Sequence, residues 1–135
     1  MSYKSTVAAR IYSDNSEEFN KFREFYITKH EKLSLECRDK FVEFLNQNTN
    51  NCYWWYRHPK TNNIEFFLYL KDFEWYSDSE IVQFFDGIFN TELYFVPSIN
   101  IEFIRIGQDF DDVEVYYRGD SNQKRMSVTR KIELG

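Results

Sequence analysis

Eight residues, Phe19, Phe22, Tyr26, His30, Leu33, Cys37, Phe41 and Phe44, follow one another at steps of three or four. A helix places such residues on one face, so residues 16–46 are predicted to be helical and to bury that face against another layer. Asp14 lies three residues before Glu17, the spacing of a capping box that would start the helix. "NQNTNN" ends the pattern at about Asn46. The spacing fits one long helix or two helices meeting near His30.

The partner layer is read from alternation. "STVAARIYS" points Val7, Ala9 and Ile11 to one side, as a strand does. "CYWWYRHPKTNNIEFFLYL" reads as two strands joined by a polar turn. Trp54, Tyr56 and His58 would share one face of the first, and Tyr53, Trp55 and Arg57 the other, so both faces are aromatic. Ser77 and Glu80 then form a second capping-box pattern before the stripe Ile81, Phe84, Phe85, Ile88. After Pro97, "INIEFIRIG" alternates as a strand, and "DVEVYYRG" and "KRMSVTRKIEL" read as a closing pair around "GDSNQ".

The order strand, helix, strand, strand, helix, strand predicts an α+β fold: one domain over residues 1–135. A single antiparallel sheet would carry two helical regions on one face, in a ferredoxin-like split βαβ core, with a C-terminal β-hairpin added. Phe22, Tyr26, Phe41, Phe44, Phe84 and Ile88 are expected to be buried together. Such a sheet leaves its second face open. Three occupants compete for it: the C-terminal extension, a partner protein or second copy of the chain, and single-stranded nucleic acid stacked on the aromatics.

Aromatic residues make up 20% of the chain, against 4 Gly and 2 Pro, which marks a folded rather than a disordered sequence. Abundant Phe, Tyr, Asn, Ile and Lys, residues with AT-rich codons, point to a low-GC bacterium or its phage. There is no run of about 18 apolar residues. The expectation is a soluble protein of the bacterial cytoplasm, with no membrane partner. Cys37 and Cys52, without CxxC spacing, read as reduced structural thiols.

Charge is unevenly spread. Residues 63–116 hold two basic residues, Lys71 and Arg105, against twelve acidic ones, while the whole chain is at −5. The flanking segments are both slightly basic. Glu65, Asp72, Glu74, Asp78, Glu80 and Asp86 run from the aromatic hairpin through the second helix. Asp109, Asp111, Asp112 and Glu114 follow in a later loop. If they converge, they make a negative field complementary to a basic partner.

Evidence for chemistry is thin. His30 falls on the apolar stripe and His58 at a turn beside Pro59, and neither has a nucleophile motif near it. "GQDFDDVE" lacks the internal Gly and closing Glu of an EF-hand calcium loop at their proper offsets, and no glycine-rich phosphate loop occurs. "RGD" at Arg118–Asp120 reads as a turn that needs its glycine. No catalytic residue, metal or cofactor is assigned.

These features together predict a non-enzymatic, acidic inhibitor that occludes a basic, nucleic-acid-binding surface of another protein, such as a nuclease or nucleoprotein complex. Two settings fit: a phage anti-CRISPR-type protein, or an immunity protein against a toxin nuclease. The partner-binding candidates are Trp54, Trp55, Tyr56, Trp75, Asp78, Glu80, Asp109, Asp111, Asp112 and Glu114. Duplex DNA is not an expected partner, because a chain at −5 repels phosphates. The alternatives are a module that binds single-stranded RNA or DNA through the aromatic face, and a small enzyme or ligand binder that forms a homodimer.

Overall fold

The computed structural model describes residues 4–57, 59, 64–90, 93–119, 126–128 and 132–134, the last two segments by their backbone alone. The fold is α+β: three helices and one open antiparallel sheet of five strands. The elements are β1 (Lys4–Ser13), α1 (Ser16–Glu31), α2 (Leu35–Asn46), β2 (Cys52–Arg57), β3 (Ile64–Glu74), α3 (Glu80–Phe89), β4 (Asn100–Ile106) and β5 (Val113–Arg118). A separate hairpin follows, β6 (Met126–Val128) and β7 (Ile132–Leu134).

The eight-residue stripe belongs to two helices. They part at Lys32–Ser34, where Leu33 tucks into the core. Each helix starts on a side chain that accepts a backbone N–H: Asn15 from Glu18, Ser34 from Cys37, Ser79 from Val82. The expected boxes at Asp14/Glu17 and Ser77/Glu80 are therefore displaced. Asn15 pairs reciprocally with Glu18 instead, its amide donating to the carboxylate at 3.0 Å. Glu18 also accepts from the Ser98 N–H, so it ties the start of α1 to the loop before β4. Asp, Asn and Ser all cap, so adjacent candidates are separated only by such tertiary contacts.

The strands lie in the order β2-β3-β1-β4-β5. The expected four-strand layout did not include β5 in this sheet. "DVEVYYRG" pairs with β4, Ile104 opposite Val115, and not with β6 or β7. The hairpin is instead made within "KRMSVTRKIEL", with Met126 opposite Leu134. Alternation alone cannot tell one long strand from two short ones folded back on each other.

Val7, Ala9 and Ile11 of β1, Phe66, Leu68 and Leu70 of β3, and Ile101 and Phe103 of β4 face the helices and share one core with Phe19, Phe22, Tyr26, Phe41, Phe85 and Ile88. Of the six residues expected to be buried together, Phe44 is only partly buried. A bulge refines this face. The register slips between Ser5↔Phe73 and Val7↔Leu70, and Asp72 takes a left-handed φ of 59°. The extra residue returns Phe73 to the core face only three positions after Leu70.

The other face is divided. Arg10 of β1 lies here between Glu65 and Glu102, both of which it pairs with, and its guanidinium covers the Tyr12 ring at 3.7 Å. Ala8 and Ile104 are fully buried although no helix covers them. β4 is paired on both edges, by β1 and β5, and β6 of the separate hairpin comes close to it. Trp54 and Tyr56 of the outer strand β2 stay exposed.

Candidate functional site

The acidic residues play different parts. The β4–β5 turn is closed by the Gly107 N–H donating to the Asp112 carbonyl at 2.8 Å. That turn folds Asp112 and Glu114 back onto Arg105, whose side chain is 5% exposed. All five guanidinium N–H groups are used. Two go to Asp112 (2.7 and 3.1 Å), two to Glu114 (2.6 and 3.1 Å) and one to the Ser5 hydroxyl (3.0 Å). Asp112 and Glu114 thus share one internal cation, which offsets one of their two charges. Asp109 and Asp111 face solvent on either side of Phe110, which is 78% exposed. Phe110 went unnoticed in the sequence, since no periodic pattern surrounds it.

The tryptophans also separate. Trp54 stacks on Phe67 at 5.2 Å and meets Tyr56 edge-on at 5.6 Å, and both Trp54 and Tyr56 are about two-fifths exposed, at 39% and 43%. Trp55 faces the helices, wedged against Phe19 (5.8 Å) and Tyr26 (5.2 Å). Trp75 is buried, parallel to Phe85 and beneath Arg105. Trp55 and Trp75 therefore serve the core, and the accessible aromatic patch is Trp54, Tyr56 and Phe67.

Glu80 has a structural role. Its carboxylate accepts both the backbone N–H and the hydroxyl of Ser34, each at 2.7 Å, joining the start of α3 to that of α2. These hydrogen bonds hold its pKa below the usual carboxylate value. Asp78, on the loop before it, is exposed.

Beside this junction lies a cleft of about 550 Å³, between α2, the start of α3 and the bulged end of β3. Its apolar lining comes from Phe41, Phe44, Phe73 and Ile81. Five carboxylates, Glu36, Glu43, Asp72, Glu74 and Glu80, share its lining with two ammonium groups, Lys4 and Lys40. Lys40 is paired with Glu36 at 2.9 Å, and Glu80 accepts from neutral Ser34 and keeps its charge, which leaves Glu43, Asp72, Glu74 and Glu80 against Lys4. The acidic run singled out Asp72 and Glu74. It omitted Glu36 and Glu43, which lie in the other half of the chain.

His30 stacks on Tyr26 at 6.2 Å, and burial, with Arg38 nearby, lowers its pKa. His58 lies outside the described residues. Among the described residues no three His, Cys, Asp or Glu side chains are placed to share a metal ion, and Cys37 and Cys52 are unbridged. Gly119 has φ +102°, and the Asn100 side chain occupies the space a Cβ would need, so the glycine of "RGD" is required by the turn. Among the described residues no helix is long and apolar enough to cross a membrane. Compared with protein-family models, curated proteins and solved structures, the chain matches none, so its function is argued from its own geometry.

Proposed function

We propose that this chain is a non-catalytic, acidic binding protein that covers a basic, nucleic-acid-binding surface of another protein. The observation that carries the reading is the cleft, where uncompensated carboxylates surround an aromatic lining. Opposed charge speeds encounter, and apolar contact holds the complex once water is expelled. The partner class is a nuclease or a nucleoprotein complex, in a phage anti-defence or toxin-immunity setting. We also read β1–β4 with α1 and α3 as a split βαβ core, to which α2 and β5 are additions.

The test is capture and competition. Tagged protein is incubated with bacterial lysate, and each captured protein is purified and assayed for nucleic-acid binding or cleavage with and without the chain. Saturating chain should abolish that activity, and capture should weaken as salt rises. A partner that keeps full nucleic-acid activity when saturated overturns the proposal.

A second reading has one observation in its favour: Trp54 and Tyr56 are exposed and packed edge-on on a sheet, with Trp54 stacked on the half-buried Phe67. Bases stack on such surfaces. Quenching of Trp54 fluorescence by a single-stranded oligonucleotide, absent in the Trp54→Phe variant, would favour it over the first.

A further inference from the structure

We infer that the cleft between α2 and the end of β3 is a docking groove for one kind of segment: a short stretch of a partner bearing Lys or Arg between apolar residues. The inference rests on the reading above and specifies its contact surface. The lining decides the occupant. Phe41 and Phe73 present rings at the floor, Phe44 and Ile81 are half-buried, and Tyr76 stands at the margin, 36% exposed. A purely apolar segment would fit that lining but would leave Glu43, Asp72 and Glu74 beside it without cations. An acidic segment would meet a net negative margin. A Lys or Arg side chain satisfies both parts: its methylene stem lies on the rings and its charged head reaches the carboxylates.

The carboxylates are positioned by different parts of the fold. Glu43 comes from α2, one helical turn after Lys40, whose charge is held by Glu36. Asp72 and Glu74 flank Phe73 on the bulged strand, and both are exposed while Phe73 is buried. The bulge therefore sets two acidic side chains on either side of an apolar one. Lys4, opposite Glu74 in the β1–β3 register, is the nearest competing cation. The β4–β5 turn differs, since there the protein supplies its own arginine to hold both carboxylates.

The probe is a pair of synthetic twelve-residue peptides with identical leucines and alanines, one carrying four arginines and the other four glutamines. Binding to the full chain is followed by amide chemical shifts. The arginine peptide should shift residues 36–47 and 72–81 selectively, and the glutamine peptide should not. The triple variant Glu43→Gln, Asp72→Asn, Glu74→Gln preserves shape, and asparagine tolerates the left-handed backbone at position 72. It should weaken the arginine peptide by about tenfold or more at low salt, since three exposed ion pairs are removed. Circular dichroism should show it folded.

Equal affinity for the triple variant, shifts confined to the Trp54 face, or no binding of the arginine peptide at millimolar concentration would each overturn the groove assignment. So would shifts that track protein concentration without peptide, which would mark a second copy of the chain as the occupant. The two proposals fail separately. A captured partner that is blocked equally well by the triple variant refutes the groove and spares the function. Peptide binding at the groove with no loss of the partner's nucleic-acid activity does the reverse.

Discussion

Replacing Asp112 by Asn and Glu114 by Gln together should destabilise the fold more than replacing Arg105 by Met, although both changes break the same ion pairs. The asymmetry follows from exposure. Arg105 is 5% exposed, while Asp112 and Glu114 are 25% and 46% exposed. Without its carboxylates the guanidinium stays charged, buried under the turn and against Trp75, with four of its five N–H groups facing neutral or missing acceptors. Breaking one side of a buried pair costs about 3–5 kcal/mol, and amide oxygens that still accept some bonds bring this to about 3 kcal/mol. Without Arg105 the two carboxylates can hydrate, so the loss should be about half as large. For a chain of this size about 3 kcal/mol corresponds to a Tm lower by on the order of 10 °C. Urea denaturation and thermal melts of the two variants test this. A double variant within about 0.5 kcal/mol of the parent, or less damaged than Arg105→Met, would refute the claim that the network is inward-facing.

Other outcomes follow from the same geometry. Asp109→Asn with Asp111→Asn should leave stability within about 0.5 kcal/mol of the parent in the same denaturation assay, because both residues are exposed. Glu80→Gln should remove an acid-sensitive contribution. The lowered pKa of Glu80 means that its bonds to Ser34 stabilise the fold above the unfolded-state pKa of about 4.3, and that the benefit disappears as pH falls through the folded value. Parent and variant should therefore differ at pH 7 and converge near pH 2 in pH-dependent melts. Tyr53→Phe should cost about 1–2 kcal/mol in urea titration, since the buried Tyr26 hydroxyl loses its 2.7 Å partner. Trp54→Ala should keep the fold, losing about 1–2 kcal/mol from its contacts with Phe67 and Tyr56. A collapse in its circular dichroism would show that this ring is structural.

Local periodicity was enough to read both helical stripes, the strand alternation and the separation of Trp54 and Tyr56 from Tyr53 and Trp55. These follow from the periods of 3.6 and 2 that any chain must obey. What eluded it depends on residues distant in sequence or on small steric differences. That the capping residue is Ser79 and not Ser77 turns on how α3 docks. That Asp112 is paired internally depends on Arg105 lying across a turn whose closure leaves no pattern. Trp75 gives no sign in its neighbours that Phe85 and Arg105 will enclose it. The cleft joins carboxylates from α2 with others from β3, so charge counted along contiguous segments could not assemble it.

β1 is the middle strand of the sheet and the first element of the chain. Its neighbours, β3 and β4, end at Glu74 and Ile106. A ribosome adding residues at about 5–20 per second leaves on the order of 5–20 s between the appearance of Ser13 and that of Ile106. Until Glu74 appears "TVAARIY" carries unpaired backbone groups on both sides, and from then until Ile106 on the β4 side. Helices form in about a microsecond, so α1 and α2 can coil at once, yet their aromatic face has no sheet to cover until β3 returns. The nascent chain therefore presents an apolar strand and an apolar helical face together, for seconds. In that interval a chaperone, or a neighbouring nascent chain offering the wrong strand, competes with the native partner for β1.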